Sequence, residues 1–160
     1  MKAILACDIN GGIGLNGSMP WNKLDGDLPR FKKLTENSTV IMGRGTWEST
    51  DMPTPLPNRT NVVVSSKNIK LPQGVWKAPN CDHLDQWHNA WLIGGAKLFN
   101  SMLDKIRAVW LTRVPENYNC DTSIDLLQLE DKFRLLSEEQ FSDHSLQIWW
   151  NKDFNETIPK

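Results

Sequence analysis

The chain reads as an α/β protein with a mostly parallel sheet and an antiparallel edge at its C-terminal end. Three observations predict this. Short apolar runs ("KAILACDI", "STVIMG", "TNVVVSS", "AWLIGG", "IRAVWLTRV") alternate with helix-like stretches over the first two thirds, the pattern of strands buried on both faces. The tail instead holds two long alternating segments, "KFRLLSEEQF" and "SLQIWWNKDF", which suit an antiparallel pair closing the sheet. No linker or low-complexity run divides the 160 residues, so one domain, 1–160, is expected.

Each element has its own warrant. "KAILACDI" (2–9) is a buried strand, followed by a Gly-rich loop to about Asn22. "GDLPRFKKLT" is a helix, since Pro29 is tolerated only in a first turn. "STVIMG" is a strand, "RGTWEST" a short helix, and "DMPTPLPNR" a proline-rich loop. "TNVVVSS" and "GVWKA" are strands, and "CDHLDQWHN" a helical turn or two. "AWLIGG" leads into "AKLFNSMLDK", where Leu98, Met102 and Leu103 fall at helical spacing, and then into the strand "IRAVWLTRV".

Bulk properties exclude several classes. A net charge of −1 provides no global field for nucleic acid or anionic lipid. No apolar run approaches the roughly 20 residues of a membrane span, and "MKAILACDIN" is too brief for a signal peptide. Cys7, Cys81 and Cys120 are odd in number, which points to reduced thiols and a cytoplasmic setting. His83 and His88 stand five apart, and Cys81 adds no recognised spacing, so no metal site is expected. His144 is expected in a hairpin turn beside Ser142, Asp143 and Ser145, and no serine occupies a nucleophile elbow.

"GIGLNG" (12–17) matches the dinucleotide fingerprint in letters only. That fingerprint works because its third glycine opens a helix whose amides hold a pyrophosphate, whereas here "SMPWN" follows. These glycines are read as hinges of a mobile loop. Better anion sites are two strand-to-helix turns, Gly43, Arg44, Gly45 and Thr46, and Gly94, Gly95, Ala96 and Lys97, with a third turn after a strand, Ser65, Ser66 and Lys67. Glycines let a backbone approach closely, exposed amides favour an anion, and Arg44 offers a planar fork. Ordinary tight turns are the alternative for each.

Asp27 stands at positions i, i+4 and i+7 with Phe31 and Leu34, so a carboxylate shares an apolar helix stripe. Such a group can grip a pair of ligand N–H donors. A helix cap facing solvent is the alternative.

Taken together, "MPWNKLDGDLPRFKKLT", "VIMGRGTWES", "PLPNRTNVVVSS" and "LIGGAKLF", in this order and spacing, resemble the dihydrofolate reductase family, in its single-domain bacterial or phage form. The resemblance implies an eight-stranded mostly parallel sheet with about four helices, and NADPH-dependent reduction of dihydrofolate by a monomer, in support of thymidylate and one-carbon metabolism. It implies that Asp27 grips the pterin 2-amino group and N3, that Thr112 bonds this carboxylate, that Trp21 orients a water, and that Met19 belongs to a closing loop. Leu28, Phe31, Leu56 and Ile93 would line the substrate site, with Arg59 on the glutamate carboxylate. Ala6 and Ile13 would meet the nicotinamide. Arg44, Ser65 and Ser66 would take the 2′-phosphate. Gly43, Thr46, Gly94, Gly95, Ala96, Lys97, Leu98 and Phe99 would complete the cofactor site, with a cis Gly94–Gly95 bond.

Phe99, Gly45 and Cys120 depart from common residues of the family (a tyrosine, a larger residue and a glycine, respectively), and the proline-rich loop is about two residues longer. Asp121 is still expected to bond the Met19 loop. Two other readings are reduction of a different pterin or a ribosylamino-pyrimidine, and a non-catalytic binding protein. Arg59 beside Asp27 favours folate, and the presence of Asp27, Trp21, Arg44 and Thr112 argues against a silent protein.

Overall fold

A computed structural model describes residues 1–51 and 54–154. Met52 and Pro53, in the proline-rich loop, therefore lie outside the described residues, as does the tail from 155. The described residues hold ten strands: β1 Lys2–Cys7, β2 Gly12–Gly14, β3 Thr39–Gly43, β4 Thr60–Val64, β5 Trp76–Ala78, β6 Ala90–Gly94, β7 Ala108–Arg113, β8 Thr122–Ser123, β9 Phe133–Gln140 and β10 Ser145–Asn151. The helices are α1 Asp27–Thr35, α2 Arg44–Trp47, α3 Ala96–Ser101 and α4 Leu126–Lys132, with 3-10 turns at Leu84–Gln86 and Leu103–Lys105.

Eight strands form one sheet in the order β5-β4-β3-β6-β1-β7-β10-β9. Strands β5 to β7 of that order pair in parallel, and β10 runs antiparallel to both β7 and β9. The antiparallel C-terminal edge is thus the β9–β10 hairpin. Strand period decides the layers. Ala3, Leu5 and Cys7, Ile41, Leu92, and Val109 and Leu111 face one way, onto Leu98, Phe99 and Met102 of the α3 segment and Leu129 of α4. Ile4, Val40 and Met42, Trp91 and Ile93 face the other way, onto Phe31 and Leu34 of α1 and Trp47 of α2. Trp21 and Leu24 form a third, small cluster with Val114.

Two parts differ from the sequence expectation. The Gly-rich loop contains a strand, since Gly12 and Gly14 pair with Ser123 and Thr122. Nothing local encodes this pairing, because strands of three and two residues are too short to show a period. Helix α4, absent from the expectation, is set by an Asp125 cap whose side chain accepts the Gln128 N–H at 3.0 Å. The "GIGLNG" stretch opens no helix: Leu15 and Ser18 close a turn, and the next helix is α1.

Candidate functional site

A cavity of about 290 Å³ opens at the carboxyl ends of β1, β6 and β7, the usual ligand edge of a parallel sheet. Its volume lies near the small end of ligand sites. The strands contribute Ile4, Leu5, Ala6, Ile93 and Thr112. Helix α1 contributes Asp27, Leu28, Arg30 and Phe31, and the opposite wall contributes Thr46, Gly94 and Gly95. Ile13, Gly14 and Met19 form the rim.

Asp27 enters the cleft because Gly26, at φ 80°, takes the cap position, leaving Asp27 as the first helical residue with its side chain uncommitted to capping. On β7, Thr112 shares the face of Trp110 by the strand period, and that face looks at α1. Thr112 Oγ1 donates to Asp27 Oδ1 at 2.7 Å. Thr112 is buried, whereas the Asp27 side chain keeps 29% of its surface open to the cleft mouth. The result is a carboxylate with one fixed oxygen in a largely apolar slot, open to a ligand.

The rims are tied together. The Met19 N–H donates to Asp51 Oδ2 at 2.6 Å, across the cleft mouth. Asp121 Oδ2 accepts from the Asn16 N–H at 3.0 Å, and its own N–H bonds Gly14 O, bracing the Met19 loop from the β8 side. The root of this loop is held by Asp8, which is 1% exposed. Its Oδ1 accepts the N–H groups of Gly12 at 2.8 Å and Asn10 at 2.9 Å, and its Oδ2 accepts that of Tyr118 at 3.0 Å. Burial pushes the Asp8 pKa up, but these backbone bonds and the Cys120 thiol outweigh it and hold the pKa below the usual carboxylate value. Cys7 beside it is pushed up to about 12 by burial, so its thiol is unreactive.

The other predicted residues fall in three places. Trp21 is buried behind the loop, edge-on to Tyr118 at 5.8 Å, and does not line the cavity. Arg59 lies beyond Phe31: its Nε donates to Thr35 Oγ1 at 2.9 Å, and its guanidinium sits 5.9 Å from the Phe31 ring centroid. Burial lowers the Arg59 pKa from the ordinary arginine value, against the opposing pull of Glu36.

The turns after β3, β4 and β6 come side by side, since Gly43 is level with Val64 and Met42 with Gly94. This groups Arg44, Thr46, Ser65, Ser66 and the Gly94-Gly95-Ala96-Lys97 turn at one edge, with Arg44 paired to Glu48 at 2.8 Å. The Gly94–Gly95 bond is cis. A Cβ at Gly94, whose φ is +134°, would stand 3.0 Å from Thr46 Oγ1.

Three of the predicted side chains pack into the core and do not line the cavity. Phe99 is fully buried on the opposite face of the sheet, and Leu98 packs in the same cluster, because α3 turns both inward. Leu56 packs into the α1-side core and is absent from the cavity wall. Sequence reasoning missed Arg30, Asp51 and Leu146 in the wall. Only Arg30 carried a local signal, one turn after Asp27.

A family model described as dihydrofolate reductase matches residues 1–151. Dihydrofolate reductase type 8 of Escherichia coli is 34% identical over 169 residues, covering 98% of each chain. The Staphylococcus aureus dihydrofolate reductase is 33% identical over 132 residues, covering 82% of this chain and 81% of its own. A bifunctional dihydrofolate reductase-thymidylate synthase of Paramecium tetraurelia is 43% identical over 129 residues; the match covers 76% of this chain but only 27% of that protein's length. Among solved structures, the dihydrofolate reductase of Enterococcus faecalis complexed with NADP(H) and RAB-propyl superposes with a TM-score of 0.80 at 26% identity, over 95% of this chain and 96% of that one. With the sheet order, the Asp27–Thr112 pair and the cis Gly94–Gly95 turn already in place, the chain belongs to the dihydrofolate reductase family of oxidoreductases.

Proposed function

We propose that this protein is a monomeric, cytoplasmic enzyme of one domain that reduces 7,8-dihydrofolate to tetrahydrofolate with NADPH, in support of thymidylate and one-carbon metabolism. The observation that carries the proposal is the Asp27 carboxylate, set by Thr112 at 2.7 Å in a largely apolar cleft.

The residues fit the cofactor. A phosphate-bearing dinucleotide needs an anion edge and a backbone that can be approached closely. Arg44, Thr46, Ser65 and Ser66 provide donors on adjacent strand ends, and Gly94 leaves a space that a Cβ would crowd against Thr46. These residues would hold the phosphates, with Gly43, Gly95, Ala96, Lys97 and Leu98 forming the turn around them, and Ala6 and Ile13 beside the nicotinamide. NADPH, when bound, supplies the hydride.

Asp27 would bind the 2-amino and N3 donors of the pterin in a paired, charge-assisted contact. Its negative charge polarises the ring toward accepting a proton at N5, which a water delivers, since Asp27 is engaged at the far end of the heterocycle. The Met19 loop, with Trp21 packed behind it, would order that water and exclude others, and drying the cleft strengthens each electrostatic interaction inside it. Leu28, Phe31 and Ile93 would line the apolar wall, and Arg59 would take the glutamate carboxylate. Leu56 would act by packing behind that wall.

The test is an absorbance assay of nicotinamide oxidation with the purified protein. Oxidation of NADPH with dihydrofolate supports the proposal. Oxidation only with another pterin or a ribosylamino-pyrimidine would redirect it, and no oxidation with any of these would refute it.

A further inference from the structure

Arg30 follows Asp27 by one helical turn and lines the same cavity. Its Nη1 lies 3.4 Å from Asp27 Oδ1, and its Nη2 lies 3.2 Å from His144 Nε2. A guanidinium only donates, so His144 Nε2 must accept. The ring proton then sits on Nδ1, which faces Asp143 Oδ1 at 2.6 Å. The orientation of the imidazole is thus set from both sides.

The Phe141 ring completes the bracket. It stacks on His144 at 4.8 Å with planes 9° apart, and the Arg30 guanidinium carbon lies 4.7 Å from its centroid. Asp143 Oδ2 also accepts the Asp25 N–H at 3.0 Å, tying the 141–144 turn to the segment before α1. The His144 hydrogen bond, followed by that backbone bond, holds the Asp143 pKa below the usual carboxylate value. The His144 side chain is fully buried, and Arg30 keeps 18% of its surface.

We propose that Arg30 is a positioning residue for the pocket carboxylate, held in place by the turn of the β9–β10 hairpin. Thr112 makes a short bond to Oδ1, and Arg30 adds a cation at the same oxygen. Oδ2 carries no protein hydrogen bond among the described residues. The carboxylate is therefore fixed in direction with acceptor capacity left for a ligand's N–H pair. This rests on the reading of Asp27 as the pterin anchor.

The experiment measures dihydrofolate and NADPH dissociation constants by tryptophan fluorescence, with steady-state kinetics, for Arg30→Gln, Arg30→Lys and Asp27→Asn and for the Asp27→Asn/Arg30→Gln pair. Arg30→Gln should raise the dihydrofolate Kd and KM about tenfold, as loss of one charge-assisted contact does. It should lower kcat less than about threefold and leave the NADPH Kd within about twofold. Arg30→Lys, which keeps the charge, should recover part of the loss. In the Asp27→Asn background Arg30→Gln should change the dihydrofolate Kd by less than about twofold, because the group it positions is gone.

Equal weakening of both ligands by Arg30→Gln, or its full effect persisting without Asp27, overturns the proposal. If Asp27→Asn disables the protein while Arg30→Gln is silent, this proposal falls and the anchor reading stands. If Asp27→Asn itself is silent, both fall.

Discussion

Asp8→Asn tests how the root of the Met19 loop is held. The wild-type carboxylate accepts three backbone N–H groups: two on Oδ1, from Gly12 and Asn10, and one on Oδ2, from Tyr118. Asparagine keeps an acceptor for the first two but loses the charge, costing about 1 kcal/mol for each bond. At the other position an NH2 faces the Tyr118 N–H, removing a charge-assisted bond of about 2 kcal/mol. Relief of the buried charge's desolvation offsets part of this total, leaving a net loss of about 2–3 kcal/mol. With a urea slope near 2 kcal/mol/M, the unfolding midpoint should fall by about 1–1.5 M at pH 7.

The loss should also depend on pH. The folded pKa of Asp8 lies below its unfolded value of 3.8, so the wild-type advantage is fully present above that value. It is lost as pH falls through the lower, folded pKa, and the two proteins should converge there. Urea titrations monitored by tryptophan fluorescence at several pH values measure both effects. A midpoint within about 0.2 M of wild type at pH 7, or a gap that ignores pH, would refute the reasoning.

Further predictions concern the cleft. Thr112→Val removes the 2.7 Å bond to Asp27 while keeping the shape; steady-state kinetics should show the dihydrofolate KM rising about tenfold, the lower end for a bond to a charged group. Gly94→Ala places a Cβ 3.0 Å from Thr46 Oγ1 at a φ of +134°; denaturation should report a loss of about 1–3 kcal/mol, with weaker NADPH binding by fluorescence titration. Arg44→Ala should raise the KM for NADPH about tenfold and leave that for NADH unchanged, because the two differ by the phosphate that the fork would bind.

The long strands were legible because their residues carry the signal: Val40, Ile41 and Met42, or Val62 and Val63, are apolar on both sides and fully buried. Asp27 was legible as an anomaly on a helix stripe, and helical spacing placed it beside Phe31. Its environment was not, since Thr112 lies 85 residues away. The Arg30–His144 contact spans 114 residues and leaves no periodic trace, so His144 read as a turn residue although its side chain is buried. Pairing of Gly12–Gly14 with Thr122–Ser123 is likewise a tertiary event. The burial of Phe99 is hidden for a simpler reason: its position in the motif does not say which face of α3 turns toward the sheet.

If the proposed function holds, the Asp27 charge drives the chemistry while contributing little to the fold. Asp27→Asn, compared with wild type in dihydrofolate-dependent NADPH oxidation at pH 7 and in urea unfolding, tests both halves. Turnover should fall by about a hundredfold or more, with an unfolding midpoint close to wild type. Wild-type turnover at pH 7 in a folded Asp27→Asn protein would contradict it.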